Sequence, residues 1–362
     1  MRIALIGAYG FTGKLISNEL HNSNLEFSIY GRDIEKLTNL KSEYSSITQV
    51  MAIDLRKKED VEKVLSNSDL VINCAGPFTE EATLLLDQVA DSGKIYLDIT
   101  GEIGFVRSSH EKFHASAVRS KSLIIHGCAF ESLVADLGLE FISSKLGSIK
   151  SVRTFYNFNQ LKVSPGTKMT MKLSRFRKIL KVENNEWCES EFKGDQLHIT
   201  IDSVSEHIAI PYPLPEIAYS YWNHNVDSAE SFLLVGTAEA KFFKGASDSS
   251  GSSLKTLDTI RLRKRKGPSV EERAVQKSSL VIEVESDTNQ LFQVLLESSD
   301  MYLTTAKAIV LTIQNLQNSS TVPSGVMSPA QLFKSNVLAA LKDLDVELIE
   351  NPDFKIASVS SS

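Results

Sequence analysis

The sequence predicts an α/β protein: an N-terminal doubly wound parallel sheet of the Rossmann type, then a second α+β domain on a mostly antiparallel sheet. Three observations predict it. Ile3 to Ile6 is an apolar run that leads straight into Gly7, Gly10 and Gly13, giving the strand, glycine turn and helix that open a dinucleotide-binding sheet. Apolar runs and helical patterns then alternate as far as about residue 125, the sign of repeated βαβ units. Beyond residue 150 the runs become short, alternating and aromatic-rich, with turn residues between them, as in a sheet with one covered face.

Composition bounds the rest. The chain has 362 residues, enough for two domains with their own cores. A net charge of −6 argues against a nucleic-acid scaffold. Cys74, Cys128 and Cys188 form neither a metal-ligand pattern nor a disulfide framework, which fits a reducing cytoplasmic setting. The first apolar run is too short for a signal peptide, and no stretch approaches the ~18 apolar residues of a membrane span.

In order, the first run reads as a buried strand, and Leu15, Ile16 and Leu20 then fall at helical spacing. Gly7 lets the chain turn off the strand, Gly10 lets backbone amides approach a pyrophosphate, and Gly13 lets the helix pack closely. Tyr9 stands where the commoner pattern has its second glycine, so the spacing is GxxGxxG. Leu25 to Tyr30 is the second strand, followed by Gly31 and Arg32. NAD-binding folds place a carboxylate there for the ribose hydroxyls, whereas an Arg accommodates a 2′-phosphate. Arg32 therefore favours NADP (NADPH) over NAD, the alternative being a solvated Arg paired with Asp33 or Glu35. Asp33 caps a helix through Leu40. Thr48–Ile53, Asp69–Phe78, Lys94–Asp98 and Leu123–Ile125 read as further strands. Lys57–Ser66, Thr79–Ser92 and residues 108–119 read as the helices between them.

Four segments in this order, GAYGFTG (7–13), NCAGPF (73–78), YLDITGE (96–102) and GCAFESLVADLG (127–138), resemble the saccharopine dehydrogenase-like NADP-binding oxidoreductases. That group includes saccharopine reductases and the mycobacterial trans-acting enoyl reductases. In relatives the fourth segment reads closer to CGFDSIPSDLG; here Ala129, Glu131, Leu133, Val134 and Ala135 depart from it. The resemblance implies a cofactor site at Gly7, Tyr9, Gly10, Phe11, Thr12, Gly13, Arg32, Asn73, Ala75, Gly76, Pro77, Asp98 and Gly101. Read from the residues alone, Asn73 and Asp98 are equally turn formers. His126 and Glu102 are the candidates for an acid, against a structural histidine and a surface carboxylate.

After residue 150, Ser151–Phe158, Gln196–Ile201, Ser205–Ile210, Ser231–Ala240 and Leu280–Val284 read as strands. Ser164 to Thr167 precedes a helix expected through about Leu180, whose Lys168, Lys172, Arg175 and Lys178 form a solvated face. A Ser or Thr there is an N-cap or an anion site at a helix start. Pro211 to Trp222 holds three prolines, which forbid a central strand. Its aromatics either wall a substrate pocket or pack as core. Ser247–Ser253 reads as a polar loop tip, and Arg261–Lys266 as a solvated basic run. Asp300–Leu316 and Pro329–Leu341 read as helices, Val346–Ile349 as a strand, and SVSSS as a disordered end. The expected domains are 1–130 for nucleotide binding, 131–324 for substrate or dimerisation, and 325–352 packing back on the first.

None of the nine tyrosines has a lysine four residues on, which excludes the Tyr-x-x-x-Lys chemistry of short-chain dehydrogenases. His110-Glu-Lys-Phe-His114 matches the H-E-x-x-H zinc spacing, but it falls on an outer helix with no third ligand following, so no metal is expected. The reading is an NADP(H)-dependent reductase of a C=N, C=O or conjugated C=C bond in a small-molecule or acyl substrate, with a homodimer left open. The rival is a non-catalytic NADP-binding sensor or scaffold.

Overall fold

In the computed structural model, which describes residues 1–76, 78, 80–158, 162–168, 178–190, 197–201, 205–236 and 267–357, seven parallel strands build the first sheet. They are β1 (Ile3–Ile6), β2 (Phe27–Gly31), β3 (Ile47–Ala52), β4 (Leu70–Asn73), β5 (Ile95–Asp98), β6 (Leu123–Ile125) and β15 (Gly325–Met327). Their order is β15-β6-β5-β4-β1-β2-β3. Both faces are covered, so successive residues of each strand enter different cores. Ile3 and Leu5 join Ile16, Leu20, Ile29 and Leu37 on one face, while Ala4 and Ile6 join Val61, Val64, Leu86 and Phe113 on the other. That double burial is why β1 reads IALI rather than alternating.

The covering helices are α1 (Phe11–Asn22), α2 (Ile34–Glu43), α3 (Lys58–Ser66), α4 (Glu80–Ala90), α5 (Ile103–Ser120) and α9 (Met301–Asn318). Asp33 caps α2 as the sequence predicts, its carboxylate accepting the Lys36 N–H at 3.2 Å. α5 starts earlier than the expected residue 108.

The chain divides into two units, Met1–Leu133 with Met301–Leu344, and Val134–Asp300 with Asp345–Ser362. These bounds differ from the expected 1–130, 131–324 and 325–352. The apolar stripe Ala306, Ile309, Val310, Ile313 and Leu316 of α9 belongs to the core around α1, which places this helix in the first unit. The expected C-terminal piece splits: β15 extends the parallel sheet beside β6, whereas β16 (Val346–Glu350) pairs with a strand of the second sheet. The expected helix Pro329–Leu341 is also two pieces, a 3-10 turn at Pro329–Leu332 and α10 (Val337–Asp343). Ser335 and Asn336 lie between them, residue types whose side chains compete for backbone hydrogen bonds.

The second unit has β7 (Ser151–Phe158), β8 (Ile179–Glu183), β9 (Glu186–Ser190), β10 (Leu197–Ile201), β11 (Ser205–Pro211), β12 (Ser228–Val235), β13 (Ser278–Glu285), β14 (Leu291–Ser298) and β17 (Phe354–Ala357). Among the described residues the order is β16-β14-β13-β7-β12-β11-β10-β17, with β8 joined to β12 and β9. Neighbours are antiparallel except β7 and β12, which run parallel. Helix α6 (Ala135–Leu146) seats Gly138 on the sheet, where a Cβ would come within 2.5 Å of Ile282 and 2.7 Å of Leu296. α7 (Glu216–His224) packs on β12. α8 (Val270–Ala274) starts with a capping box between Ser269 and Glu272.

Several expectations change here. The aromatic stretch after Pro215 is helical, and Tyr219 is fully buried as core. The helix expected through Leu180 has ended by Ile179, where β8 begins. It starts at residue 165, capped by Ser164, whose hydroxyl accepts the Thr167 N–H at 3.1 Å. Lys172, Arg175, Ser247–Ser253, Arg261–Lys266 and the final SVSSS lie outside the described residues.

Candidate functional site

The site is built at the carboxyl end of β1, which lies between β4 and β2 and so marks the reversal of strand order. Open α/β sheets bind ligands at that point. Gly7 ends the strand at φ +78, and a Cβ there would meet the Cys74 carbonyl carbon at 2.9 Å and the Ala75 nitrogen at 3.0 Å. The turn after β1 and the loop after β4 therefore touch backbone to backbone. At Gly13 a Cβ would lie 2.4 Å from the Gly7 carbonyl oxygen, so only glycine lets α1 approach the turn. Gly10 is different: its Cβ would meet only the Gly7 oxygen, at 3.1 Å, and its outer side is open.

The first intrahelical bond of α1 runs from the Lys14 N–H to the Gly10 carbonyl at 2.9 Å. The amides of Phe11, Thr12 and Gly13 consequently have no acceptor within the helix, and no acidic residue stands in its first turn. Backbone donors plus the positive end of the helix dipole suit a phosphate. Phe11 is held edge-on by Tyr302 of α9, with ring centres 4.9 Å apart.

Beside β2, Tyr9 explains Gly31: a Cβ on Gly31 would come within 2.7 Å of the Tyr9 ring. The Tyr9 hydroxyl accepts the Arg32 N–H at 3.3 Å, and the Lys36 ammonium lies 5.5 Å from the ring centre. Asp33 pairs with Lys36 at 2.6 Å, and the hydrogen bond from Lys36 holds its carboxyl below the usual range. The exposed Arg32 guanidinium has no carboxylate partner among the described residues. The chain thus presents an Arg here, backed by a lysine that packs on the Tyr9 ring.

At the ends of β4, β5 and β6 the expected polar residues turn inward. Asn73 is buried; it accepts the Ala75 N–H at 3.0 Å and donates to the Tyr96 hydroxyl at 3.1 Å. Asp98 accepts from Gly127 N–H at 2.9 Å, from Thr100 N–H at 3.1 Å, and meets His126 Nδ1 at 2.7 Å. The other ring nitrogen of His126 lies 2.7 Å from the Ser109 hydroxyl. With both nitrogens engaged and no exposed surface, His126 ties β5, β6 and α5 together. Glu102 is also buried, bonded to the Thr100 hydroxyl at 2.7 Å and the Gly101 N–H at 3.2 Å. These four side chains hold the loops in place, and Ala75, Gly76 and Gly101 are the groups those loops present. Pro77 lies outside the described residues. Burial pushes the Cys74 thiol above its ordinary range, which disfavours the thiolate.

The zinc-like motif on α5 has other partners. His114 Nδ1 accepts the Val326 N–H at 3.2 Å and Glu111 pairs with Arg107 at 2.8 Å. His110 stacks on His114, and its burial lowers its pKa to about 4.

One residue that the sequence passed over is Glu131. From Ser122 through Leu139 every residue is buried except this half-buried glutamate. It lies on a π-helical turn, Phe130–Val134. The Phe130 N–H at its start is anchored by the Thr305 hydroxyl of α9 at 3.0 Å. Burial, with the charge of Glu102 adding to it, raises the Glu131 pKa. The signal available in the sequence was its place, a carboxylate among apolar residues just past β6.

A parallel sheet in the order 3-2-1-4-5-6, with a glycine turn at the reversal point, defines a dinucleotide-binding domain. Residues 3–125 match the family model of the saccharopine dehydrogenase NADP binding domain. A saccharopine dehydrogenase-like oxidoreductase of Rattus norvegicus is 26% identical over 176 residues, 44% of this chain and 41% of that protein. A trans-acting enoyl reductase of Mycobacterium leprae is 30% identical over 142 residues, 38% of this chain and 34% of that protein. The match thus spans about two fifths or less of these relatives' length. Among solved structures, saccharopine dehydrogenase (L-Glu forming) from Saccharomyces cerevisiae superposes with a TM-score of 0.64. It covers 98% of this chain and 99% of its own at 10% identity, a likeness of fold.

Proposed function

We propose that the protein is an NADP(H)-dependent oxidoreductase that reduces a C=N, C=O or conjugated C=C bond of a small-molecule or acyl substrate. The observation that carries this reading is the turn at the end of β1. There the Phe11, Thr12 and Gly13 amides await an anion beside the open side of Gly10, and the unpaired Arg32 stands one strand away. The amides would hold the pyrophosphate, and Arg32, with Lys36 near, the 2′-phosphate. The loop carrying Ala75 and Gly76 would border the nicotinamide half, kept in shape by Asn73. When bound, the cofactor supplies the hydride, while the protein supplies binding, orientation and electrostatics. None of the three cysteines is in a disulfide, in keeping with a reducing compartment such as the cytoplasm.

The test is cofactor preference. A charge-assisted contact to the 2′-phosphate contributes about 1.5–3 kcal/mol, roughly ten- to a hundredfold in affinity. In equilibrium titrations NADPH should bind at least about tenfold more tightly than NADH. Arg32→Ala should remove most of that gap by weakening NADPH alone. Equal affinities in the wild type would overturn the assignment of Arg32, and no binding of either nucleotide would overturn the function.

A further inference from the structure

We propose that Glu131 is the carboxyl that exchanges a proton with the bound reactants, discharging as the nicotinamide ring becomes cationic. The inference rests on the cofactor reading above and adds the proton that reduction requires. Hydride transfer to a C=N, C=O or C=C carbon leaves the adjoining nitrogen, oxygen or carbon in need of a proton. A donor must lie at the carboxyl ends of the strands, remain uncharged until needed, and have access to water for recharging.

Position comes first. A dinucleotide lies across the reversal point, so with Arg32 beside β2 taking the adenosine half, the nicotinamide half falls beyond β4, towards β5 and β6. Glu131 follows β6 on that side. Two other acidic groups at these strand ends, Asp98 and Glu102, are buried away from water. Asp98 is bonded to two backbone amides and to His126, and Glu102 is turned onto Thr100 and Gly101. His126 has both nitrogens engaged out of solvent. Of the residues from Ser122 to Leu139, Glu131 alone is half-buried rather than buried.

Rigidity comes second. The turn that carries Glu131 is π-helical, a form found mostly as single turns at functional sites. Its frame is pinned by the Phe130 N–H to Thr305, the Leu133 N–H to the Ala129 carbonyl at 2.9 Å, and the Cys128 N–H to the Asp98 carbonyl at 2.7 Å. The third consideration is charge. Of the ionised groups on these elements, Glu102 is the one that acts on Glu131, and with burial it favours the protonated acid. A cation close by acts in the opposite direction.

In the step, Glu131 gives its proton to the nitrogen, oxygen or α-carbon while the neighbouring carbon accepts hydride from the reduced cofactor. The O–H bond of the acid breaks and a new N–H, O–H or C–H bond forms. The carboxylate left behind would be stabilised by the positive charge of the oxidised ring, and water would return its proton after product departs.

Binding calorimetry tests this without a substrate. NADP+ and NADPH are each titrated into the full-length protein between pH 5 and 8, in buffers of differing ionisation enthalpy. NADP+ binding should release a proton over part of that range, NADPH binding should not, and E131Q should bind both nucleotides while losing the release. E131D should retain it. Infrared difference spectra between the two complexes should show a protonated carboxyl band in the wild type with NADPH that E131Q lacks. Equal release by wild type and E131Q, or no release by the wild type, would overturn the role of Glu131. Failure of both nucleotides to bind would overturn it together with the cofactor reading, and the binding isotherms separate the two cases.

Discussion

Glu216 gives the second unit a stability that falls as pH rises through the neutral range. Its side chain is fully buried at the start of α7, where one carboxyl oxygen accepts the Thr154 hydroxyl of β7 at 2.9 Å. Burial pushes its pKa from 4.5 up to about 7. Below pH 4.5 the group is protonated folded or unfolded and costs nothing. Between 4.5 and 7 the unfolded chain has lost the proton that the folded chain still holds, so each pH unit lowers stability by about 1.4 kcal/mol. Above about pH 7 the loss levels off, at about 3 kcal/mol in total. Glu216→Gln keeps an acceptor for Thr154 and removes the titration. The chain has two tryptophans, Trp187 and Trp222, both in this unit; Trp222 is on α7, and Trp187 packs edge-on against Tyr221 at 5.4 Å. Their fluorescence in urea titrations from pH 4.5 to 8 reports this unit alone. The variant should gain on the wild type steadily with pH, by about 3 kcal/mol at pH 7.5. A difference that stays flat, or that favours the wild type as pH rises, would refute a proton held on buried Glu216.

Three further perturbations probe the first unit. Gly13→Ala sets a Cβ 2.4 Å from the Gly7 oxygen and 2.9 Å from Ala8 backbone atoms, so it should lower thermal stability by about 1–3 kcal/mol and disturb nucleotide binding. In Gly10→Val the Cβ would meet a single backbone atom, the Gly7 oxygen at 3.1 Å, so the variant should unfold near the wild-type temperature, yet lose NADPH in a binding titration. Gly325→Ala must accept φ +109 and a contact of 2.9 Å with the His114 ring. It should cost about 1–3 kcal/mol, of which His114→Ala restores the part due to the ring and leaves the 3.1 Å contact with Val118 and the backbone strain, as a double-mutant denaturation cycle would read.

The parallel sheet was legible because double burial and glycine turns leave local marks. Ile3–Ile6 has no polar residue to interrupt it, and β2 to β5 each end in a small or turn-forming residue, Gly31, Ala52, Asn73 and Asp98. β15 left no such mark. Gly325–Met327 is three residues long, and it becomes a strand by accepting the free edge of β6 and the cover of His114. The β8–β9 hairpin did carry a signal that went unread. Asn184 and Asn185, between two alternating runs, both take positive φ, 54° and 56°, as a two-residue hairpin turn requires. The turn after β1 could be read from three glycines because a Cβ at each would approach backbone, closely at Gly7 and Gly13 and at 3.1 Å at Gly10. His126, Glu102 and Glu131 could not be sorted in that way. Which carboxylate faces inward depends on partners such as Ser109 and Thr100, chosen by packing that no spacing records.

The first unit is completed late. Its nucleotide turn is made within thirteen residues of the start, but α9 and β15 arrive only after the whole of β7–β14 has been synthesised. Until then the nascent sheet ends at an unpaired β6, and Leu5, Ile16 and Ile29 lack the apolar face of α9. Unpaired edges and bare apolar surface are what invite aggregation during synthesis. A ribosome stalled or a chain cut near residue 300 would therefore carry every glycine of the cofactor turn and still lack a closed core to hold them. The inserted unit has the opposite timetable, with most of its sheet in hand by Ser298 and only β16 and β17 to add.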